Sequence, residues 1–439
     1  MADHALVVGC DAYPQLPGGD LRGAVADALA VREWLLSPYG GRVAESSLIF
    51  LASCSATGAQ AELALVSNPA TRLAFAAALR ELITKPDVSE DDRLYVYLAG
   101  HGCRTDPANP VLAIDAFAFT EFSSIDPVAN LIGVPDLVAR LRQSRFGVIV
   151  VILDACRNLP YKESLQLGGI GTDPKPPANR PYVPRLFLLQ STLPGGTSAG
   201  RPDAKGMVRG DFTVALVNGL NGSGGAKIYD ERADRPYIVW WSALVGYLAA
   251  VLPDQQPRRD GDGDDILLAT FPDGFFDPVK LTVQVDFGGA ALGDDLKIRV
   301  RYVDPGAAED PQLELPGPAP VEFHVPPRRQ QVLARAGEIW GRCAVDLYAD
   351  TPVVVAIRPG GPGNRTPIAA NTVITRDGKR TAAGAVAVRC DDPAAVIHVR
   401  DTSGHVALSG IGGVLNRTMK AADRVPTGGS VWTFALMPE

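Results

Sequence analysis

Two apolar segments of the sequence each lead into a residue with reactive side-chain chemistry. RLYVYLA (93–99) runs directly into the motif GHG, which contains His101, and GVIVVIL (147–153) runs directly into DACR, which contains Cys156. Reactive groups collect at the carboxyl ends of the strands in open α/β sheets, so neighbouring strands would bring His101 and Cys156 to one edge. A histidine close to a thiol can take its proton and stabilise the thiolate. The two residues together therefore predict nucleophilic catalysis by a cysteine.

The first 275 residues alternate between strand-like and helix-like segments. Short apolar runs predict strands over 5–9, 47–51, 93–99, 147–153 and 186–191. Apolar residues at helical spacing predict helices over 22–36, 72–83, 212–220 and 239–252. In the first of these helices, the residues that fall on one face are Ala24, Ala28, Val31 and Leu35. This order predicts an α/β fold, with a mostly parallel sheet that carries helices on both faces.

The pattern changes near Phe275. Short segments of alternating polarity, separated by Gly, Pro and Asp clusters, are typical of an all-β sandwich or barrel. These segments are 280–287, 296–303, 321–325, 343–349, 352–358, 385–390, 396–400 and 431–436. The sequence therefore predicts two domains, 1–275 and 277–439, of which the second is β-rich and sandwich-like, either as one unit or as two small subdomains.

Composition and charge exclude several classes of protein. The chain has 439 residues, of which 46% are hydrophobic and 21% charged, as is typical of a globular protein. The net charge is -7 and no basic tract indicates nucleic-acid binding. No apolar run reaches the ~18 residues of a membrane span, and the N-terminus does not resemble a secretory signal. Six dispersed cysteines without a CxxC pair favour neither a disulfide framework nor a zinc site, so we expect a cytoplasmic location.

The motifs around the two reactive residues resemble those of the caspase-like cysteine peptidases, including metacaspases and bacterial relatives. YLAGHG (97–102) looks like the histidine motif of that family, and ILDACRN (152–158) looks like its cysteine motif. The histidine of caspases precedes the cysteine by about 50 residues. Here 55 residues separate His101 from Cys156.

Other stretches extend this resemblance over about residues 1–273. LRGAVADALAVREWL (21–35) resembles the family stretch after the first strand. STLPGGTSA (191–199) and GDFTVAL (210–216) resemble a later loop and the start of the next helix. The motifs occur in the family's order. The resemblance implies a caspase-like fold and a cysteine endopeptidase that acts on proteins or peptides and requires no cofactor.

The resemblance also implies where a substrate would be held. Backbone N–H groups of Gly102 and Cys156 would form the oxyanion hole. Asp154 stands two residues before the cysteine, as in metacaspases, and Asp27 falls on the family aspartate that metacaspases use with it. Two carboxylates in one pocket attract a guanidinium or ammonium group, so the resemblance implies cleavage after Arg or Lys rather than after Asp. Ser191 is a further candidate substrate contact.

Structural roles are the alternatives to these assignments. Cys156 could be a core cysteine at a strand end, His101 a hydrogen-bonded structural histidine, and Asp27 a residue that caps or tethers a helix. For the whole chain, the alternative to a peptidase is a non-enzymatic signalling scaffold on the same α/β fold.

The β-rich domain suggests control of the enzyme. Bacterial relatives often carry a fused sensing or interaction module, and several act in antiphage defence or cell death. We therefore expect residues 277–439 to bind an activating signal, for which a nucleotide-type small molecule is one candidate. In 296–303, Lys297, Arg299 and Arg301 share one strand face, which is either an anion-binding face or a solvated outer face. A structural or substrate-docking β domain is the alternative to a sensor.

An acidic segment over Asp260–Asp265 raises the question of calcium. An EF-hand loop needs Gly at its sixth position and Glu at its twelfth, where this chain has Asp265 and Phe271. The segment therefore predicts a solvated acidic turn and no calcium site.

Two loops around the reactive cysteine, 157–185 and 194–211, bear on activation. Lys175, Arg180 and Arg201 each precede a proline, which fits poorly just after a scissile bond. We therefore expect the protein to be activated as a single chain, by a signal that orders these loops, and not by obligatory self-cleavage.

Overall fold

The computed structural model divides the chain into two units, Met1–Asp273 and Gly274–Glu439. The segments that the structure describes are 2–54, 68–105, 114–123, 130–156, 159–161, 182–193, 200–202, 208–230, 232–262, 265–286, 297–302, 313–316, 321–336, 339–356, 385–390, 396–400, 406–411, 413–418 and 433–437. Most of the two loops considered for self-cleavage lies outside the described residues.

A six-stranded sheet forms the centre of the N-terminal unit. In chain order, the strands of this unit are β1 (Asp3–Cys10), β2 (Leu48–Ser53), β3 (Arg93–Gly100), β4 (Gly102–Thr105), β5 (Asp115–Ala118), β6 (Leu131–Gly133), β7 (Val148–Ala155), β8 (Leu159–Tyr161), β9 (Arg185–Gln190), β10 (Gly200–Pro202), β11 (Val208–Gly210), β12 (Ile228–Tyr229), β13 (Tyr237–Trp240), β14 (Arg258–Gly261) and β15 (Leu267–Phe271). The central sheet has the order β14-β9-β7-β3-β1-β2, and only β14 runs antiparallel to its neighbour. The predicted mostly parallel sheet is confirmed.

Helices cover both faces of this sheet, as predicted. They are α1 (Ala24–Leu36), α2 (Arg72–Thr84), α3 (Val134–Leu141), α4 (Asp211–Leu220) and α5 (Trp241–Val251). On one face, alternate strand residues such as Leu98 and Val151 share a buried cluster with Phe75 of α2 and Leu137 of α3. Within the described segments, the structure contains no helix long and apolar enough to cross a membrane.

The opposite face packs against α1 and α5. Tyr95 of β3 meets Trp34 of α1 edge to face with 5.8 Å between ring centroids, and Phe187 of β9 meets Trp241 of α5 at 5.5 Å. Because consecutive strand residues point to opposite faces, strands covered on both sides must be apolar throughout. This explains the unbroken apolar runs in the sequence.

Helix α1 lies unusually close to strand β1. A Cβ at Gly9 would be 2.8 Å from the Cβ of Ala28, so only glycine fits there. The helix has no side-chain cap of its own; instead the Asp11 carboxylate accepts the Ala24 N–H at 2.8 Å. The face predicted from the sequence is buried, as expected, at Ala24, Ala28, Val31 and Leu35.

Two features of this unit differ from the sequence analysis. The segment 239–252 was expected to be one helix, but Val239 and Trp240 belong to β13, which pairs with β15, and α5 begins at Trp241. An apolar run of this kind fits both a strand and a helix, and the partner strand decides. The second difference is a four-stranded sheet, β6-β5-β4-β8, that the sequence pattern did not predict.

The acidic segment is also only partly as predicted. Residues 258–261 are exposed, but they form strand β14 and not a turn, with Asp260 opposite Leu188 of β9. Asp262 makes an ion pair with Arg142. Asp265 accepts a hydrogen bond from the Ser242 backbone N–H at 3.0 Å. Asp262 and Asp265 therefore bind residues of the same unit, Arg142 and Ser242.

The C-terminal unit consists of small β-sheets. Its strands are β16 (Val279–Asp286), β17 (Lys297–Tyr302), β18 (Leu313–Pro316), β19 (Val321–Val325), β20 (Arg329–Ala336), β21 (Ile339–Asp346), β22 (Thr351–Ala356), β23 (Ala385–Cys390), β24 (Val396–Arg400), β25 (Val406–Ile411), β26 (Gly413–Thr418) and β27 (Thr433–Met437). They form sheets β19-β16-β22, β18-β17-β20-β21, β23-β26 and β25-β24-β27. The predicted β content is confirmed, while the sandwich arrangement of the whole unit stays a prediction.

The first two of these sheets share a core. Leu281 and Phe323 from one sheet cluster with Ile298, Val332 and Val345 from the other. Ile298 is buried, as expected for the apolar face of β17. The side chains of the basic face, Lys297, Arg299 and Arg301, lie outside the described part of the chain, so their proposed role in anion binding stays a prediction.

Candidate active site

The two reactive residues follow neighbouring strands of the central sheet. β3 and β7 are parallel, and their register places Gly100 opposite Ala155. His101 and Cys156 come directly after this pair, so both stand at the carboxyl edge of the sheet, where each is half-buried. The expected adjacency of the two strands is therefore confirmed, whereas the catalytic roles of the residues stay predictions.

The glycines on either side of His101 are explained by close packing. A Cβ at Gly100 would lie 2.6 Å from the hydroxyl oxygen of Tyr13. A Cβ at Gly102 would lie 2.4 Å from the carbonyl oxygen of Cys156 and would overlap it. Only glycine allows the backbone after β3 to come this close to the backbone after β7. The GHG motif thus brings residues 101 and 102 against the end of the cysteine strand.

The imidazole of His101 has a defined tautomer. Its Nε2 atom lies 2.6 Å from the carbonyl oxygen of Gly19. A carbonyl oxygen can only accept a hydrogen bond, so Nε2 must carry the proton and donate it. In the neutral ring Nδ1 then holds the basic lone pair. Gly19 belongs to the segment between β1 and α1, which therefore orients the ring.

Burial also sets the charge of this histidine. It lowers the pKa of His101 below its ordinary value of 6.5, and the hydrogen bond to Gly19 opposes this change only in part. The ring is therefore mainly neutral at pH 7, which is the state that a general base needs.

The two candidate specificity carboxylates meet at the start of α4. A Cβ at Gly210 would be 2.8 Å from Oδ2 of Asp27 and 3.1 Å from Oδ2 of Asp154, so both side chains approach one point. Both aspartates are buried. The Gly210 backbone N–H donates to Asp27 at 2.9 Å, and Nε of Arg209 lies 3.2 Å from its other oxygen. The helix N-terminus also favours negative charge at this position.

Asp154 is held by a chain of hydroxyl groups. The Thr213 hydroxyl donates to Asp154 Oδ2 at 2.6 Å, and it lies 2.6 Å from the Tyr97 hydroxyl. Since Thr213 uses its own proton on Asp154, Tyr97 donates to Thr213. These two hydrogen bonds connect the Asp154 carboxyl to Tyr97 of strand β3 and fix its position.

Burial changes the protonation of Asp27. Burial, and after it the nearby Asp154 charge, raise the pKa of Asp27 to about 8, against the lowering effects of the Gly210 N–H and Arg209. A cation that bound at this pair would favour the doubly ionised form. The pair is thus a site where basic groups and protons compete.

The remaining candidate, Ser191, is fully buried beside the cysteine strand. Its backbone N–H donates to the Leu153 carbonyl at 2.9 Å, and its hydroxyl lies 3.5 Å from the Ala155 carbonyl. The structure therefore places Ser191 against the backbone next to Cys156. Its role as a substrate contact stays a prediction.

A small cavity lies behind the strand ends. Its volume is about 20 Å³, and its lining includes Cys103, Phe117, Ala155 and Gln190. This volume fits a single water molecule and no peptide side chain. Burial raises the pKa of the Cys103 thiol to about 12, which makes it a poor nucleophile at neutral pH.

Several contributors to this site were not predicted from the sequence. Gly19 acts through its backbone carbonyl, which has no sequence signature. Tyr13 lies against the His101 ring, with 4.6 Å between the ring centroids. Arg209 and Thr213, which hold the acidic pair, flank the residues Gly210, Asp211 and Phe212 of the motif GDFTVAL. The sequence signal for Tyr13 was its position as an aromatic residue shortly after the first strand.

Comparisons with known proteins agree with this architecture. The family profile described as "Caspase domain" matches residues 2–229. A curated "probable protease" from a Desulfuromonadales bacterium is 30% identical over 450 residues, and the match covers 96% of this chain. It covers 52% of the relative, so the chain spans about half the length of that protein.

Solved structures show more distant similarity. A structural genomics protein from Geobacter sulfurreducens is 16% identical, with a TM-score of 0.40 over 60% of this chain and 94% of that chain. A DUF3823 family protein from Parabacteroides merdae is 13% identical, with a TM-score of 0.16 over 32% of this chain and 79% of that chain. The family match, by contrast, extends over more than half of the sequence and includes His101, Cys156 and the strands that precede them. By that match, the chain belongs to the caspase domain family.

Proposed function

We propose that this caspase-family chain is a cysteine endopeptidase with Cys156 as nucleophile and His101 as general base and acid. The observation that carries the proposal is the anchored imidazole. Because Nε2 of His101 donates to Gly19, the basic nitrogen is Nδ1, on a ring that follows the strand paired with the cysteine strand. This arrangement supports proton transfer between the thiol and the ring.

The proposed reaction has two stages. The Cys156 proton passes to Nδ1 of His101, and the sulfur adds to the scissile carbonyl carbon, whose oxygen takes the electron pair. The carbonyl re-forms, the C–N bond breaks, and His101 gives its proton to the leaving amine. A water molecule then loses a proton to His101 and attacks the thioester. The acid product leaves, and the sulfur regains a proton.

Close packing at Gly102 supports the predicted oxyanion hole. The backbone of residue 102 lies directly against the Cys156 carbonyl, so the N–H groups of these residues belong to two adjoining strand ends. Backbone donors held in this way stabilise the charge that develops on the substrate oxygen.

The acidic pair supports specificity for a basic side chain. Arg209 places a guanidinium nitrogen 3.2 Å from Asp27, which supports the proposal that a guanidinium group can bind here. A substrate Arg or Lys would share or displace that contact and bind Asp27 and Asp154 together. The Arg209 side chain is about one-quarter exposed, so the outer side of this position is open to solvent.

The decisive experiment is a peptidase assay on fluorogenic peptides that end in Arg, Lys or Asp. Cys156→Ala and His101→Ala should each reduce kcat/KM by at least about a thousandfold, because each removes a reacting group. Cys54→Ala is the matched control, since Cys54 is also a half-buried cysteine that follows a strand of the sheet. It should keep full activity. Full activity in purified Cys156→Ala would refute the assignment. A wild type that stays inactive both alone and with candidate nucleotides added would favour the signalling scaffold.

The same assay tests specificity. Asp154→Asn and Asp27→Asn should weaken turnover of Arg peptides by about 2–5 kcal/mol, as expected when a charge partner in a desolvated site is lost. Arg209→Gln should act in the opposite direction and lower KM for Arg peptides, because it removes a competing guanidinium. A wild type that cleaves after Asp and ignores Arg would contradict the proposal. Activation through the β unit and a role in antiphage defence stay predictions from the sequence.

A further inference from the structure

Tyr13 makes an unusual contact with the backbone of the proposed base. The residue is 1% exposed. Its hydroxyl oxygen accepts the backbone N–H of His101 at 2.8 Å, and its proton goes to the carbonyl oxygen of Ala118 at 3.2 Å. Burial raises the pKa of Tyr13 well above its ordinary value, so the hydroxyl keeps the proton that it donates.

The register of the small sheet shows what this hydroxyl replaces. β4 and β5 are antiparallel, with Gly102 opposite Phe117, so His101 and Ala118 form the next pair. Ala118 donates its N–H to the His101 carbonyl at 2.9 Å. In a regular antiparallel pair of this type, His101 would return a direct bond to the Ala118 carbonyl. Here the Tyr13 hydroxyl lies between the His101 N–H and the Ala118 carbonyl, so this residue pair makes only one of its two direct hydrogen bonds.

We propose that Tyr13 is a positioning residue for His101, whose bridging hydroxyl sets where the imidazole stands relative to Gly19 and to the cysteine strand. The inference rests on the proposed function, because orienting His101 matters for catalysis only if His101 is the general base. Tyr13 acts only through His101, whose backbone N–H it binds and against whose ring it lies, and it has no role in the proposed proton transfers.

The segment that contains Tyr13 holds His101 from two sides. The Tyr13 carbonyl accepts the Leu16 N–H, and the Leu16 carbonyl accepts the Gly19 N–H, so consecutive turns connect Tyr13 to the carbonyl that binds the ring. Tyr13 also donates its own N–H to Asp20 at 2.8 Å. One segment therefore fixes both the backbone and the ring of the histidine.

Tyr13→Phe separates these contributions. It keeps the aromatic ring and the turns but removes the bridge. The His101 N–H and the Ala118 carbonyl must then either pair directly, which moves the histidine, or remain unpaired, which loosens it. In both cases the hydrogen bond between His101 Nε2 and the Gly19 carbonyl oxygen changes in length or direction.

The test compares Tyr13→Phe with Tyr95→Phe in the full chain. Tyr95 is also a buried tyrosine, but it lies near the start of β3, at the opposite end of that strand from His101, where its hydroxyl is bonded to Arg93 at 2.7 Å. We expect Tyr13→Phe to lower kcat by about 10- to 100-fold, to leave KM within about twofold, and to shift the acidic limb of the pH profile. Tyr95→Phe should change none of these. A Tyr13→Phe enzyme with wild-type kcat and pH profile would overturn the proposal.

A second readout does not depend on peptidase activity. The chain contains five histidines, so NMR of histidine-labelled protein can follow each imidazole, with His101→Asn to assign the signal. Tyr13→Phe should change the pKa or the tautomer ratio of His101, and Tyr95→Phe should not. An unchanged titration in Tyr13→Phe refutes the positioning role even if the chain proves inactive. If that variant fails to fold, Gly100→Ala must reproduce the effect, because its Cβ would displace the Tyr13 hydroxyl.

Discussion

At His101, the proposed general base, a backbone carbonyl takes the place that a side-chain carboxylate has in Ser-His-Asp triads. The Gly19 oxygen orients the ring and selects the tautomer without adding a negative charge. Burial lowers the pKa of the histidine, and the hydrogen bond to Gly19 compensates only in part for the lost hydration. The imidazole of the proposed base is thus held in place without being made more basic.

This balance predicts the pH dependence of the reaction. Protonation of His101 removes the lone pair of Nδ1, so activity falls as the pH drops through the pKa of this group. Since burial lowers that pKa, the acidic limb of kcat/KM should have its midpoint below pH 6.5. Rates measured between pH 4.5 and 8 at saturating activator, if one is needed, test this. A midpoint above pH 7 would mean that the ring is stabilised as a cation.

The buried Asp27 predicts how stability changes with pH. Its pKa is raised from 3.8 to about 8 on folding, so the folded state binds its proton more tightly than the unfolded state. This contribution to stability is complete below pH 4 and is lost as the pH rises through about 8. Thermal unfolding of wild type and Asp27→Asn between pH 4 and 9 checks the sign. The Tm of wild type minus that of the variant should decrease with pH, and an increase would contradict the raised pKa.

At the scale of elements, the site depends on how closely β3 and β7 approach at their ends. Gly102→Ala should force the Cys156 carbonyl away, since a Cβ at 2.4 Å cannot be accommodated without movement of the backbone. We expect a loss of kcat/KM of at least about tenfold, together with a lower Tm.

Gly246→Ala is the matched control for that substitution. Gly246 lies inside α5 with no atom within 4 Å of a Cβ placed there, so alanine should stabilise the helix by about 0.5–1 kcal/mol. Activity and thermal unfolding of both variants are the measurements. Equal behaviour of the two alanine variants would mean that the close approach at Gly102 is not needed.

The elements also show what could be predicted from sequence. The helix over 22–36 has apolar residues at helical spacing, and the strands that precede His101 and Cys156 are unbroken apolar runs, so their positions and the common edge were predictable. The bridge from Tyr13 was not, because it joins residues 88 positions apart through a hydroxyl and a backbone N–H. Trp240 was predicted to lie in a helix because a local sequence pattern does not reveal its pairing with Leu267 of the distant strand β15.

At the scale of the molecule, the caspase-like unit extends beyond the family match. That match ends at residue 229, yet β14 at 258–261 completes the central sheet and α5 covers Phe187. Arg142 binds Asp262 immediately after β14, and the Asp262 N–H donates to Leu186 at 2.9 Å. The last part of the N-terminal unit is therefore structurally inseparable from the sheet that carries the site.

The antiparallel strand β14 also covers an edge of the central sheet at which other copies of the chain could add a strand. It occupies the backbone donors and acceptors of β9, whose sequence RLFLLQ is apolar and rich in leucine. A polypeptide that stops at residue 229 would present this strand as an unpaired edge, and such edges recruit further chains by strand addition. We expect that polypeptide to form oligomers or precipitate, whereas one that stops at residue 273 should stay monodisperse in light scattering. Equal solubility of the two would show that β14 is dispensable as a guard against aggregation.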